Sequence, residues 1–129
     1  MQRQDLNRIR EAQEQATISE VRVCTKDGIS LPKQENSSLY VVPTNMERIY
    51  ICGLLEISIP DVITIYLFQN GNAFTSTSAM FKKGPFIMDV ISTAALKGGE
   101  YRADIFIVRE KPAASVRFLV EIGENHKEE

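Results

Sequence analysis

The sequence predicts an all-β protein, an antiparallel β-sandwich of seven to eight strands preceded by a short polar arm. Apolar and polar residues alternate in several short segments, and turn-forming residues separate these segments at short intervals. Between Phe86 and Val108 the chain has the pattern of strand, corner and strand, with Leu96 before a pair of glycines and Tyr101 just after them. An apolar residue before such a bend and a tyrosine after it are typical of a chain that crosses between the two sheets of a sandwich.

The 129 residues are predicted to form one domain with a polar segment at each end. Residues 1–18 are rich in Gln, Glu and Arg, and their few apolar residues fall near helical spacing, which favours a short helix or a frayed arm over an oligomerising stalk. Residues 19–122 form the sandwich, and residues 123–129 form a charged, disordered tail. A chain of this length removes roughly two-thirds of its surface from water on folding, so it can build a core without disulfide bonds or structural metal ions.

The first half of the sandwich contains three predicted strands. Val21–Cys24 alternates before a Lys-Asp-Gly turn, and Leu39–Val42 is a short extended segment that Pro43 ends. Arg48–Ile57 is long and apolar. The glycine at its centre, Gly53, indicates a bulge or a close approach of two backbones.

The second half follows the same pattern. Val62–Phe68 alternates and leads into Asn70-Gly71, a dipeptide that accepts the positive φ angles of a tight hairpin turn. The Thr- and Ser-rich segment Ala73–Ser78 returns as an exposed edge strand. The strand-corner-strand segment comes next, and Val116–Ile122 alternates as the last strand.

Cys24 and Cys52 are the two cysteines of the chain, and both fall in apolar strand segments. The favoured interpretation is a pair of buried free thiols that pack as small hydrophobic groups. A disulfide between neighbouring strands is the alternative, and redox or catalytic use is the third. Because the single histidine, His126, lies in the polar tail, Cys and His cannot assemble a zinc site.

Charge and motifs exclude several classes of function. The net charge of −2 gives no basic excess for a nucleic-acid partner, and no apolar run approaches the ~18 residues of a membrane helix. No nucleophile, phosphate-binding or metalloprotease motif occurs, so we expect no enzyme activity, no cofactor and no metal. If Met1 is the native start, the lack of a signal segment predicts a cytoplasmic protein. An excised fragment would leave the compartment open and would admit an extracytoplasmic origin.

The order of features resembles immunoglobulin-like and fibronectin-III-like sandwiches of the bacterial and macroglobulin type. The resemblance covers roughly residues 47–122, and the segments that carry it are Arg48–Gly53, Val62–Phe68 with Asn70-Gly71, Lys83–Phe86, Leu96–Tyr101 and Val116–Ile122. It implies an immunoglobulin-like fold and, by analogy, a binding or spacer role. The first 45 residues or so are longer than such domains usually carry before this point.

Several large apolar residues fall on the predicted outer side of the sheet that holds Val62–Phe68, the strand after Tyr101 and Val116–Ile122. Burying such side chains is worth roughly 1.5–3 kcal/mol each, so we expect something to cover them. The alternatives are an N-terminal segment about 20 to 45 residues long that folds over this face, another protein or a second copy, and plain exposure. The predicted contact residues are Tyr66, Phe68, Phe106, Val108 and Leu119, with Arg102 and Arg117 among them.

Three functional hypotheses follow from these observations. The preferred one is a non-catalytic protein–protein interaction module that uses the outer face of one sheet. The second is a structural or spacer domain of a larger cell-surface or secreted assembly. The third is a carrier of a small apolar ligand, which requires an apolar cavity between the sheets.

Overall fold

The computed structural model describes residues 16–107 and 112–121, and its strands follow the predicted order. The predicted helical arm and the charged tail fall almost wholly outside these residues, and the first strand begins at Thr17. The strands within the described residues are β1 (Thr17–Cys24), β2 (Leu39–Val42), β3 (Arg48–Glu56), β4 (Asp61–Gln69), β5 (Asn72–Phe81), β6 (Gly84–Ser92), β7 (Gly99–Ile107) and β8 (Ala114–Val120), with a 3-10 turn at Thr93–Ala95.

The strands form two sheets, which confirms the predicted all-β class. One sheet has three strands in the order β1-β3-β6, and the other has five in the order β2-β8-β7-β4-β5. Neighbouring strands are antiparallel except β2 and β8, which are parallel. Strands β8, β7 and β4 therefore lie side by side, as the prediction of a shared outer face requires.

One core cluster joins the inner faces of the two sheets. Ile65 of β4 and Ile105 of β7 are fully buried, and Ile51 of β3 meets them from the three-stranded sheet as part of the same cluster. Because side chains alternate between the two faces of a strand, the buried residues of β4 and β7 are those that the alternation predicts. The fully buried members from these two strands are Ile63, Ile65, Leu67, Ala103, Ile105 and Ile107.

The predicted corner lies where the chain leaves β6 in one sheet and enters β7 in the other. The Tyr101 hydroxyl donates a hydrogen bond to the Lys97 carbonyl oxygen at 2.9 Å and accepts one from the Lys97 N–H at 3.0 Å. Its ring is buried and stacks on Phe118 of β8, with the ring centroids 5.5 Å apart. The tyrosine thus ties the turn to the core, which confirms the predicted role of this segment in the fold.

The free-thiol interpretation of the cysteines is wrong, because Cys24 and Cys52 form a disulfide with their Cα atoms 6.4 Å apart. The prediction that both are buried is confirmed. In the β1–β3 register Cys52 lies opposite Arg22, and Cys24 lies opposite Tyr50. The two cysteines are therefore diagonal neighbours on one face of the sheet, within the usual Cα separation for a disulfide.

Gly53 marks a close approach between strands, one of the two alternatives that its position predicted. It lies opposite Phe86 in the β3–β6 register. A Cβ atom at residue 53 would lie 2.9 Å from Phe86 Cε1 and 3.1 Å from the Ser19 carbonyl oxygen. The register irregularity of β3 against β6 falls elsewhere, between Ile49 and Tyr50.

Replacing Gly53 with alanine should therefore destabilise the protein by about 1–3 kcal/mol, the usual range for overpacking a filled core. Urea unfolding followed by circular dichroism measures the change. The double variant G53A/F86L should recover part of the loss, because the shorter side chain leaves the new methyl group more room. Unchanged stability in G53A would contradict the close approach.

Candidate interaction surface

The predicted contact residues come together on the outer face of the five-stranded sheet, which we call the aromatic face. Strand β4 contributes two of its aromatic residues, β7 contributes an arginine and a phenylalanine, and β8 contributes an arginine and a leucine. Val108 lies outside the described residues. The aromatic face consists of Tyr66, Phe68, Arg102, Phe106, Arg117 and Leu119.

An aromatic pair occupies the centre of this face. The rings of Tyr66 and Phe106 meet edge to face, with centroids 5.4 Å apart and an interplanar angle of 80°. Tyr66 lies opposite Asp104 in the β4–β7 register, so the two rings meet along the diagonal between strands. Tyr66 is 40% exposed, whereas Phe106 is half-buried. An edge-to-face pair holds both rings in a defined orientation while one remains accessible.

Arg102 is held in place by an aromatic ring and a carboxylate. Its guanidinium lies 4.5 Å from the centroid of the Phe68 ring, and its Nε donates to Asp104 Oδ1 at 3.0 Å. The same carboxylate oxygen accepts a hydrogen bond from the Ser115 hydroxyl at 2.6 Å, and Asp104 is 8% exposed. Because Asp104 is bonded by Arg102 and by Ser115 of the neighbouring strand, it holds the guanidinium over the ring, although the Arg102 side chain stays partly exposed.

Arg117 lies directly opposite Arg102 on the neighbouring strand, a placement that would normally be unfavourable for two like charges. Its Nη1 donates to Glu100 Oε2 at 2.6 Å, and its Nη2 donates to Ser38 Oγ at 3.4 Å. Each guanidinium therefore has a carboxylate of its own. The four charged groups balance, and the basic patch that isolated arginines would form does not develop here.

The described part of the N-terminal segment does not lie across the aromatic face. Strand β1 belongs to the three-stranded sheet, and β2 extends the five-stranded sheet at its edge. Val41 of β2 lies beside Leu119, and Ser38 reaches Arg117, so contact is limited to the margin. Strands β1 and β2 therefore do not cover the face that Tyr66 and Phe106 form. Residues 1–15 of the predicted covering segment lie outside the described residues, so cover by that arm stays a prediction.

Two side chains that orient the arginines were missed as site residues in the sequence. Glu100 and Asp104 flank Arg102 at two-residue spacing on β7 and so project from the same face. This alternation of charge signs was a usable signal for the Arg102–Asp104 pair. Ser115 carried no such signal, because its contact with Asp104 depends on the pairing of β7 with β8.

Elsewhere in the described part of the chain, an open cleft of about 720 Å³ lies at one end of the molecule. Val42, Met46, Leu96 and Val120 contribute to its apolar side, and Lys97 contributes a charge. Because the cleft opens at the end of the strands, it does not support the hypothesis of a carrier with an apolar cavity between the sheets.

Two other kinds of site are absent within residues 16–107 and 112–121. No three His, Cys, Asp or Glu side chains there lie close enough together to hold a metal ion. Over the same residues, no helix has the length and apolar character needed to cross a membrane.

Comparison with known proteins assigns no family: no family model matches the chain, and neither does any curated protein. The two-sheet architecture is therefore assigned from the strand pairing in the structure alone. The resemblance to immunoglobulin-like and fibronectin-III-like sandwiches stays a prediction.

Proposed function

We propose that this chain is a non-catalytic protein–protein interaction module with an immunoglobulin-like fold, and that the aromatic face is its binding surface. The observation that carries the proposal is the Tyr66–Phe106 pair, an oriented aromatic cluster left accessible in the middle of a sheet. Aromatic residues and arginine are enriched in protein interfaces and dominate their energetic hot spots. The proposed partner surface is amphipathic, because the charges on this face are already balanced.

The immunoglobulin-like assignment is supported by the strand order and by the corner. A three-stranded sheet faces a five-stranded one, and the tyrosine after the crossover bonds to the backbone four residues upstream. Such a tyrosine corner before the penultimate strand is a recurring feature of these sandwiches. The disulfide departs from the antibody pattern, because Cys24 and Cys52 join neighbouring strands of one sheet instead of linking the two sheets.

The arrangement around Arg102 also supports a binding role. Its guanidinium is already desolvated on one side by the Phe68 ring and is fixed by Asp104. Arg102 therefore loses less side-chain entropy when a partner binds than a free surface arginine would. Arg102 offers a fixed cation, Tyr66 an accessible ring, and Leu119 a half-buried apolar side chain. This combination suits a partner surface of aromatic or aliphatic side chains bordered by polar groups.

Site-specific photocrosslinking tests the proposal in the cells that produce the protein. A benzoylphenylalanine at residue 66 in the full chain should yield a covalent adduct with a protein, and F106S/L119S in the same chain should abolish it. Each substitution removes apolar contact area but leaves the inner core residues in place. An adduct of twice the chain's mass would identify a second copy as the partner.

The matched control carries the same photoreactive residue at Ile87, which is 42% exposed on the outer side of the three-stranded sheet. That position should give no adduct. Equal adducts from both positions, or none from residue 66, would contradict the proposal. If F106S/L119S no longer unfolds in a cooperative transition, the proposal is also contradicted, because the two residues would then be part of the core.

A second candidate is a structural or spacer domain of a larger cell-surface or secreted assembly. The Cys24–Cys52 disulfide favours it, because disulfides persist mainly in oxidising compartments. This candidate requires the bond to contribute to stability, which thermal unfolding with and without a reductant measures. Equal transition temperatures in the two conditions would remove its support.

A further inference from the structure

Among the residues that the structure describes, the two sheets have four edge strands: β1 and β6 in one sheet, β2 and β5 in the other. An edge strand directs unpaired N–H and C=O groups outward and can pair with another chain. Natural sheets blunt their edges with bulges, short strands, prolines, charges or covering loops. The four edges of this molecule differ in whether they carry such a device.

The loop between β1 and β2 covers the edge of β2 and the last two residues of the edge of β1. Strand β1 has an irregular register around Glu20, whose φ is 55°, and the Leu31 N–H donates to the Val23 carbonyl oxygen at 2.9 Å. Strand β2 has four residues. The Val41 N–H donates to the Pro32 carbonyl oxygen at 2.8 Å, and Leu39 accepts a bond from the Gln34 N–H at 2.9 Å.

The edge of β6 carries two other devices. Pro85 has no N–H to donate, and Asp89 places a charge in the middle of the strand, where it pairs with Arg48 at 2.8 Å. A second strand added here would lose a ladder hydrogen bond at the proline. It would also have to accommodate the ion pair beside it.

Strand β5 has one of these devices, a register irregularity between Ala73 and Thr75 near its start, and none after that point. It is ten residues long, from Asn72 to Phe81, and it contains no proline and no charged residue. Its register with β4 is unbroken from Thr75 to Phe81, and no described residue pairs with its other side. Every second residue of the regular stretch from Thr75 to Phe81 directs its N–H and C=O outward, which gives about three or four residues able to pair. Met80 adds a side chain that is 66% exposed.

We propose that β5 pairs with β5 of a second copy of this chain, antiparallel and across a two-fold axis. The charges next to the strand favour this occupant. Lys82 and Lys83 follow β5 directly, and its other end is preceded by the uncharged segment Gln69–Gly71. In an antiparallel pair the two lysine pairs lie at opposite ends, roughly 30 Å apart at about 3.4 Å per residue. A parallel pair would place four lysines side by side.

The pairing closes as a dimer. Because the other three edges are covered or blocked, a second copy at β5 leaves no comparable edge for a third. The two five-stranded sheets then become one sheet of ten strands. A two-fold axis perpendicular to that sheet keeps both aromatic faces on the same side. This inference concerns the backbone edge of β5 and does not depend on the proposed binding face, although Ser76 lies opposite Tyr66 at the margin of that face. The hydrogen-exchange measurement below distinguishes pairing of the edge from association through the face.

Sedimentation equilibrium of the full chain over a range of concentrations tests the proposal. The wild-type mass should rise from 14.5 kDa toward twice that value. The variant S76K/M80K places two charges on exposed positions of β5 and should remain monomeric where the wild type is half dimeric. The control T17K/S19K adds the same charge to exposed positions of β1 and should dimerise like the wild type.

Three outcomes would overturn the proposal: a wild-type mass that stays at 14.5 kDa, a mass that grows beyond two copies, or an S76K/M80K variant that dimerises normally. Hydrogen exchange on the wild type gives a second measurement that needs no variant. Amides between Asn72 and Phe81 should exchange more slowly at high concentration, and those of β1 should not change. A dimer without this protection would use another surface and would also contradict the proposal.

Discussion

Loss of the Cys24–Cys52 disulfide should lower the free energy of unfolding by about 3–4.7 kcal/mol. The two cysteines are 28 residues apart in the sequence, and constraining a loop of that length removes conformational freedom from the unfolded chain. Both residues are buried, so the bond also belongs to a packed environment. For a chain of this size the loss corresponds to a fall in transition temperature of roughly 10–15 °C.

Thermal unfolding of the oxidised protein, the reduced protein and the variant C24A/C52A measures this effect. The reduced protein and the variant should both unfold well below the oxidised protein. A reductant should leave the transition of C24A/C52A unchanged, which separates loss of the bond from any general effect of the reductant. A reduced protein as stable as the oxidised one would show that the bond constrains little, and the argument for an oxidising compartment would fail with it.

Replacing Tyr101 with alanine should destabilise the protein by about 3–5 kcal/mol, because the ring is almost fully buried and stacks on Phe118. Tyr101→Phe should cost about 1–3 kcal/mol. That variant keeps the ring but leaves the Lys97 N–H and C=O without the partner that the hydroxyl provides. The difference between the two variants separates the packing of the ring from the hydrogen bonds of the corner.

Urea unfolding of Y101A, Y101F and the control Y66F tests this division. Tyr66 is 40% exposed, so loss of its hydroxyl should change the free energy of unfolding by less than about 0.5 kcal/mol. If Y101F is as stable as the wild type, the hydroxyl does not hold the corner. If Y101A and Y101F lose the same amount, packing on Phe118 contributes nothing measurable.

Much of the fold was predictable because the alternation of apolar and polar residues in a strand shows which side chains face the core. The alternation in Val62–Phe68 placed Ile63, Ile65 and Leu67 inside and Tyr66 outside, as the structure has them. Gly53 was also informative by itself, because a glycine inside an apolar strand usually marks a bulge or a close approach by a neighbouring group. The sequence also placed the edge strand β5 and the tyrosine corner, because both depend on turn-forming residues that are adjacent in the chain.

The composition of the aromatic face was predictable, but its geometry was not. Period-two alternation identifies which side chains of a strand share a face, so the sequence by itself determined the outward positions of β4, β7 and β8. Register between strands depends on packing over long sequence separations, and a shift of one residue would move each side chain to the other face. The contact of Tyr66 with Phe106, and the separate carboxylate that each arginine binds, were therefore decided only by the tertiary structure.

The same physical reason explains the cysteines and the edges. Nothing local to Cys24 or Cys52 reveals that β1 and β3 are neighbours, so burial was predictable for each cysteine and the bond between them was not. The exposed character of β5 was visible in its Thr- and Ser-rich sequence. Among the strands that the structure describes, the open stretch Thr75–Phe81 of this edge is recognisable only once the loop before β2 and the proline of β6 are seen at the other edges. Sequence determines the faces of each strand, and tertiary packing determines which strands meet.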